Sequence, residues 1–238
     1  MKTPRGMKRN GFTLVELLVV IVIIAALAGL SFAVLPRIQR KAKATASLSN
    51  LRQFAPTLTA YAGEHSLTLP PIKGLGKDSD GVEVELLWTE VCLQQINPDT
   101  AVAKFRDKRW WETTKPFAQN PLYKAWKPDA PGYAMNAMLA ENVEAAKENG
   151  GATGDLLAVP VSLSVLSDPA RTPLVAPGTL ISYRYDTQAE INQFQQGSAK
   201  ELLVEDKLPI LFVDGHVESL TPKEYISREL YLMPRSQQ

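Results

Sequence analysis

The chain is short of the residues that most often carry chemistry. It has one cysteine, Cys92, and two histidines, His65 and His216, in 238 residues. A single cysteine excludes an internal disulfide framework and any Cys-cluster zinc site. Gly-x-Ser-x-Gly, a phosphate loop and His-Glu-x-x-His are all missing, so none of the common hydrolase, nucleotide or metalloprotease signatures applies. Acid is nearly absent from the start. Residues 1–63 carry nine Lys or Arg against Glu16 alone, a net +8, while residues 64–238 carry 17 bases against 24 acids, a net −7. With 45% hydrophobic and 21% charged residues, 14 Gly and 17 Pro, the composition excludes a collagen, a fully disordered chain and a multi-pass membrane protein. A basic start and an acidic body predict a segment that meets a membrane and a domain that stays in water.

The first strong feature is an apolar run. Leu17 to Leu35 is 19 residues with Ser31 as its one polar side chain and no charge. At about 1.5 Å per residue, a helix of this length crosses a hydrocarbon core of roughly 30 Å. Lys2, Arg5, Lys8 and Arg9 precede the run, and Arg37, Arg40, Lys41 and Lys43 follow it. Four bases on each side leave the positive-inside rule tied. Ala26-Leu27-Ala28 fits the small-x-small pattern of ordinary signal peptidase, with Gly29 as the new terminus. That alternative describes a secreted or tethered binding or enzymatic domain, but the run exceeds the 7–15 residues of a secretory apolar region. Glu16 is the discriminating residue. A carboxylate in a span costs about 2.5 kcal/mol or more unless a cation neutralises it, whereas complementing the helix dipole stabilises it only weakly.

The residues around Glu16 read Lys8-Arg9-Asn10-Gly11-Phe12-Thr13-Leu14-Val15-Glu16. A Gly-Phe-Thr-Leu-Val-Glu run between a short basic leader and a long apolar segment resembles the prepilin cleavage and methylation motif of type IV pilins and type II secretion pseudopilins. The resemblance implies that a prepilin peptidase cuts between Gly11 and Phe12 and N-methylates Phe12. The leader, residues 1–11, then stays cytoplasmic. Residues 12–35 form the inner-membrane and assembly helix, residues 36–63 an amphipathic stem, and residues 64–238 an exported headpiece, periplasmic or extracellular in a filament. The implied fold is α+β: a long helix packed on an antiparallel sheet with extra short helices. The implied partners are other pilin-like subunits, the peptidase, an inner-membrane assembly platform and the lipid bilayer. A glycine before the cut leaves an unhindered backbone for the protease. Glu16 is then expected to neutralise the Phe12 ammonium of a neighbouring subunit, and to be unpaired only while the subunit is alone. Such pairing selects the axial offset between subunits more than it adds stability.

Beyond Pro36, Leu48, Leu51, Ala55, Leu58 and Ala62 make a helical stripe, widened by Phe54 and Tyr61, expected to pack on a sheet. The bases from Arg37 to Lys43 are expected near lipid headgroups. Pro36 and Pro56 each remove a helix hydrogen bond, so a kink or local opening is expected at both. Ser49-Asn50-Leu51-Arg52-Gln53 is similar to the stem of a large pseudopilin-like group. Tyr133-Ala134-Met135-Asn136 and Phe212-Val213-Asp214-Gly215-His216-Val217 resemble two further elements of that group. Its histidine ten residues before the Asp-Gly pair is replaced here by Val204.

In the body, helices are expected near Glu85–Ile96 and Met135–Glu148, the second closed by Gly150-Gly151. Leu180–Tyr185, Ile210–Val213 and His216–Leu220 read as strands, the last two joined through Asp214-Gly215, a strong hairpin signal. Trp110, Trp111, Phe117, Tyr123 and Trp126 lie among Lys104, Arg106, Lys108 and Arg109, a pattern met in single-stranded nucleic-acid binding. The net-acidic body repels phosphate backbones, so these aromatics are assigned to a core and no nucleic-acid partner is expected. Asp78, Asp80 and Glu83 are the calcium candidates, in an acidic loop without EF-hand spacing. Asp214 and His216 supply too few ligands for closed zinc. Cys92, among apolar neighbours, reads as a structural thiol. No enzymatic activity and no cofactor are expected.

Overall fold

The computed structural model describes residues 13–77, 80–137, 139, 158, 160–180, 182–183, 197–228 and 230. The chain divides into two compact units, Met1–Ala42 and Lys43–Gln238. One helix, α1 (Leu14–Glu64), runs from the first into the second.

In the first unit α1 is apolar on all sides, and its large side chains are open. Leu14 is 82% exposed, Leu30 69% and Phe32 76%. Taken singly, no described helix is long and apolar enough to cross a membrane. Leu14–Leu30 and Val34–Glu64 pass that test together as a pair bent by 42° at the break between them. The break lies where Pro36 acts: its ring crowds the carbonyl four residues back, at Phe32. Pro56 does not interrupt α1 and sits on an exposed side of it. Its missing N–H is therefore lost where water can serve the freed carbonyl.

In the second unit the stripe expected on α1 is present. Leu51, Phe54, Leu58 and Ala62 are buried, joined by Ala44, Ser47 and Thr57, which hydropathy alone did not select. Leu48 and Ala55 are half-buried. A two-stranded antiparallel ribbon follows, β1 (Lys73–Lys77) with β2 (Glu83–Leu87), then α2 (Trp88–Ile96). The expected helix from Glu85 thus begins three residues late. Glu85, Leu86 and Leu87 pair with Leu75, Gly74 and Lys73, and α2 starts where the Leu87 N–H donates to Glu90 Oε2 at 2.9 Å. Two short helices, α3 (Val102–Phe105) and α4 (Lys108–Thr114), lead into the main sheet.

That sheet contains β3 (Tyr133–Asn136), β4 (Pro173–Pro177), β5 (Ser182–Tyr183), β6 (Leu208–Phe212) and β7 (Val217–Leu220), in the order β5-β3-β4-β6-β7. Every pair is antiparallel except β3 with β5, which is parallel. The helix expected from Met135 is corrected: Met135 and Asn136 close strand β3, and residues 140–148 with the Gly150-Gly151 cap lie outside the described residues. Tyr133 opposes Pro177 and Met135 opposes Val175, so cross-strand pairing draws Met135 and Asn136 into the sheet, while Leu139 is helical. Of the expected strand 180–185, Leu180 lies in a bend and Ser182–Tyr183 form β5. The helix α5 (Pro222–Ser227) ends the described chain.

The central strands β3, β4 and β6 are buried on both faces. Tyr133, Met135, Val175 and Leu211 join Leu51, Phe54, Trp88 and Trp111 in one core, while Ala134, Ala176, Ile210, Phe212 and Tyr225 form a second. This explains the unbroken apolar reading of β6, since a strand covered on both faces has no polar alternation. Phe54 is the hub: its ring centroid lies 4.9 Å from Trp88, 4.7 Å from Phe117 and 5.3 Å from Tyr133. Truncating such a buried aromatic leaves a cavity, so Phe54→Ala is expected to cost about 3–5 kcal/mol. A fall in the denaturation midpoint of the full chain in detergent measures it, and a loss below 1 kcal/mol contradicts the hub role.

Candidate functional site

The N-terminal motif is built on the first turn of α1. Gly11 and Phe12 lie outside the described residues. Thr13 precedes the helix, and its backbone N–H and its hydroxyl each donate to Glu16 Oε2 at 2.8 Å. The Glu16 N–H returns a bond to Thr13 Oγ1 at 3.3 Å. This is a capping box: residue N-cap and residue N3 satisfy each other's open donors. Glu16 is thus hydrogen-bonded within its own chain, by neutral donors that leave its charge to be matched elsewhere. The sequence contained the signal, Thr-x-x-Glu ahead of an apolar run. The same pattern recurs at Thr221 and Glu224, where the Thr221 N–H donates to Glu224 Oε2 at 2.7 Å and the Glu224 N–H to Thr221 Oγ1 at 3.2 Å.

In the second unit, the stretches singled out by resemblance come together on α1. The Tyr133 hydroxyl donates to the Ser47 carbonyl at 3.2 Å and lies 3.1 Å from Ser47 Oγ. Asn50 Nδ2 donates to the Gln119 carbonyl at 3.0 Å, and Asn136 Nδ2 to the Pro173 carbonyl at 2.9 Å. Arg52 is exposed. Asn50 and Tyr133 thus act as polar pins between helix, loop and sheet, a role that spacing did not reveal because their partners lie 69 and 86 residues away.

The β6–β7 hairpin forms, with a loop one residue longer than expected. Val213 leaves β6, and the Phe212 N–H bonds the His216 carbonyl at 2.9 Å across Val213-Asp214-Gly215. Among these only Gly215 has positive φ, +92°, which suits a three-residue loop closed by a left-handed glycine. A Cβ at Gly215 meets Ala55 Cβ at 3.6 Å, so the loop rests on α1. His216 stacks on Phe212 with centroids 4.3 Å apart, and its Nδ1 lies 2.6 Å from Asp214 Oδ1. Burial works against ionising Asp214, but hydrogen bonds from the His216 backbone and ring, with the ring's charge, outweigh it and hold the carboxyl below the usual carboxylate range. The pair closes a turn.

The remaining candidates separate. Asp78 lies outside the described residues. Glu83 opposes Lys77 in the ribbon, and among the described residues no three His, Cys, Asp or Glu side chains gather as a metal site does. Trp111 and Tyr123 are buried, and Trp110, Phe117 and Trp126 are half-buried against them or the main core. Cys92 is buried in that core, and desolvation pushes its thiol well above the ordinary value. One ion pair has no sequence signal: exposed Arg106 donates through Nε to Oε1 of buried Glu90 at 2.8 Å, and through a second nitrogen to Glu90 Oε2 at 3.1 Å. Open grooves of about 590 and 670 Å³ flank β1, sharing Tyr61, His65, Pro71 and Leu75.

Residues 6–32 match the prokaryotic N-terminal methylation motif, the signal carried by type IV pilins and pseudopilins. No curated protein and no solved structure matches the chain. Motif and architecture together give a pilin-like N-terminus on an α+β pilin-like arrangement. They support a membrane-anchored or filament-forming subunit that meets a prepilin peptidase and other pilin-like subunits.

The capping box is open to direct test. Thr13→Ala removes the hydroxyl that serves Glu16 and the helix terminus, a loss of about 1 kcal/mol. Amides of the first turn of α1 are then expected to exchange several-fold faster with deuterium in detergent, and Thr13→Ser to restore them. Equal exchange in all three proteins contradicts the box.

Proposed function

We propose that this chain is a structural subunit, a pseudopilin or minor pilin of a type II secretion or type IV pilus-like machine. Prepilin peptidase cuts between Gly11 and Phe12 and methylates Phe12. The subunit waits in the inner membrane with its N-terminus cytoplasmic and its headpiece exported, then polymerises through α1. It works without a catalytic centre or cofactor. The observation that carries this reading is the match at residues 6–32 running straight into a helix whose large apolar side chains stand open. Such a surface needs lipid or neighbouring helices to cover it.

Processing fixes the chemistry of Glu16. The cut places a new ammonium on Phe12, one residue before the capping box, where an apolar setting strengthens its attraction to a carboxylate. Stacking of subunits then lets the Glu16 of one neutralise the amine of another. The absence of a cysteine pair favours a pseudopilin or minor pilin over a disulfide-looped adhesive fibre.

Intact-mass measurement of the chain, coexpressed with a prepilin peptidase, decides the matter. A product beginning at N-methylated Phe12 is expected. A start at Gly29, or an uncut chain, overturns the reading. Glu16→Ala is expected to be inserted and processed normally yet to drop out of filaments at least tenfold. Normal incorporation contradicts the ion-pair account while leaving the processing account standing.

A further inference from the structure

We propose that Arg37, Arg40, Lys41 and Lys43 form a collar that binds the anionic phosphate headgroups of the leaflet beside the exported headpiece. The inference rests on the membrane reading of the apolar run and adds a lipid partner to it. All four side chains are exposed. Arg37, Arg40 and Lys41 stand at i, i+3 and i+4 and so share one helix face. From Arg37 to Lys43 the helix rises about 9 Å, close to the headgroup layer of roughly 5–8 Å that lies beyond a hydrocarbon core. No acid occurs between Glu16 and Glu64, so this stretch of the sequence is purely basic.

Two further observations favour lipid over an acidic protein surface. Leu35 and Ile38 interleave with the bases and are 48% and 59% exposed. Apolar side chains beside long basic stems suit a headgroup boundary, where the stems lie along the acyl chains and the charges reach the phosphates. The second is topological. Bases just outside the exported end of a span work against insertion in that orientation, and a headgroup contact gives them a compensating role once the helix is in place.

The test uses the full chain reconstituted into phosphatidylcholine bilayers doped with a minority of phosphatidylglycerol. The lipids that co-purify with the protein are then counted by mass spectrometry. Each base near a charged surface contributes about 1 kcal/mol, roughly a fivefold preference. Enrichment of phosphatidylglycerol is expected, falling as added salt shortens the screening length. Arg37→Gln with Arg40→Gln, Lys41→Gln and Lys43→Gln is expected to abolish it. Arg37→Lys with Arg40→Lys is expected to keep most of it, and Arg52→Gln, nine residues beyond Lys43, to leave it unchanged. A chain that inserts but shows no lipid preference overturns the collar and leaves the span intact; if the same four substitutions then cost binding to other subunits, the bases serve protein. Enrichment that survives the fourfold variant also overturns the collar. Failure of the wild-type chain to insert in any bilayer overturns span and collar together.

Discussion

One constraint governs the molecule: a single helix is covered along one part of its length and left open along another. From Lys43 onward α1 supplies a stripe that its own sheet covers, with Leu51, Phe54 and Leu58 at 0–1% exposure. Before that point nothing in the described chain covers it, and Leu14 to Ile38 present a nearly continuous apolar cylinder. In water each such side chain left open forfeits about 1.5–3 kcal/mol relative to burial. The first unit therefore presents an apolar surface that the described chain leaves open, as the proposed membrane and filament setting requires. The second unit carries the reverse demand, since its acidic surface belongs in water. The charge asymmetry between residues 1–63 and 64–238 is the sequence trace of that division.

The headpiece answers a narrower problem, which is how to hold one helix face in register. Aromatic packing around Phe54 supplies most of the burial, yet apolar contacts alone leave a helix free to slide or roll. The polar pins remove that freedom. Tyr133 bonds Ser47, Asn50 bonds the Gln119 carbonyl, and the β6–β7 loop rests on Ala55 through Gly215. Each ties a different segment to a different turn of α1. A buried hydroxyl or amide that loses its partner costs about 1–3 kcal/mol, so a shifted register is penalised at several points together. The stem run and Tyr133–Asn136, which sequence resemblance grouped, act in the fold as parts of this one clamp.

What the sequence made legible follows the same logic. The apolar run, the stripe and the Asp-Gly hairpin were readable because each depends on neighbours within a few residues. The start of the helix expected near Met135 is displaced because the pairing of Met135 with Val175 spans 40 residues, and local propensity carries no word of it. Glu85–Leu87 failed in the same way, through pairing with Lys73–Leu75. The hairpin connection is longer than the Asp-Gly pair alone implies: Val213, whose N–H donates to the Thr172 carbonyl at 3.0 Å, and His216 both lie outside the strands. The Arg106–Glu90 pair was invisible for want of any pattern linking residues 16 apart. Thr13 is the instructive case: its role is written locally as Thr-x-x-Glu, and the capping box closes within one helical turn.

The capping box changes the energetics of Glu16. A carboxylate with no partner in an apolar setting is unstable in the subunit and drives toward any cation it meets. A carboxylate already accepting two bonds from Thr13 is a partly satisfied group, and pairing with a neighbour's amine must compete with the capping box or be added to it. One carboxylate offers about four lone-pair sites, and both bonds from Thr13 go to the same oxygen, Oε2. Addition is then the cheaper course, since it keeps the helix terminus capped while the Phe12 ammonium of another subunit approaches. In the proposed filament the box does two things. It lowers the cost of storing an acid in the membrane, and it fixes the direction from which a cation can reach it. Selectivity for one axial offset between subunits then comes from geometry already present in the monomer, and the intersubunit pair need only recognise it.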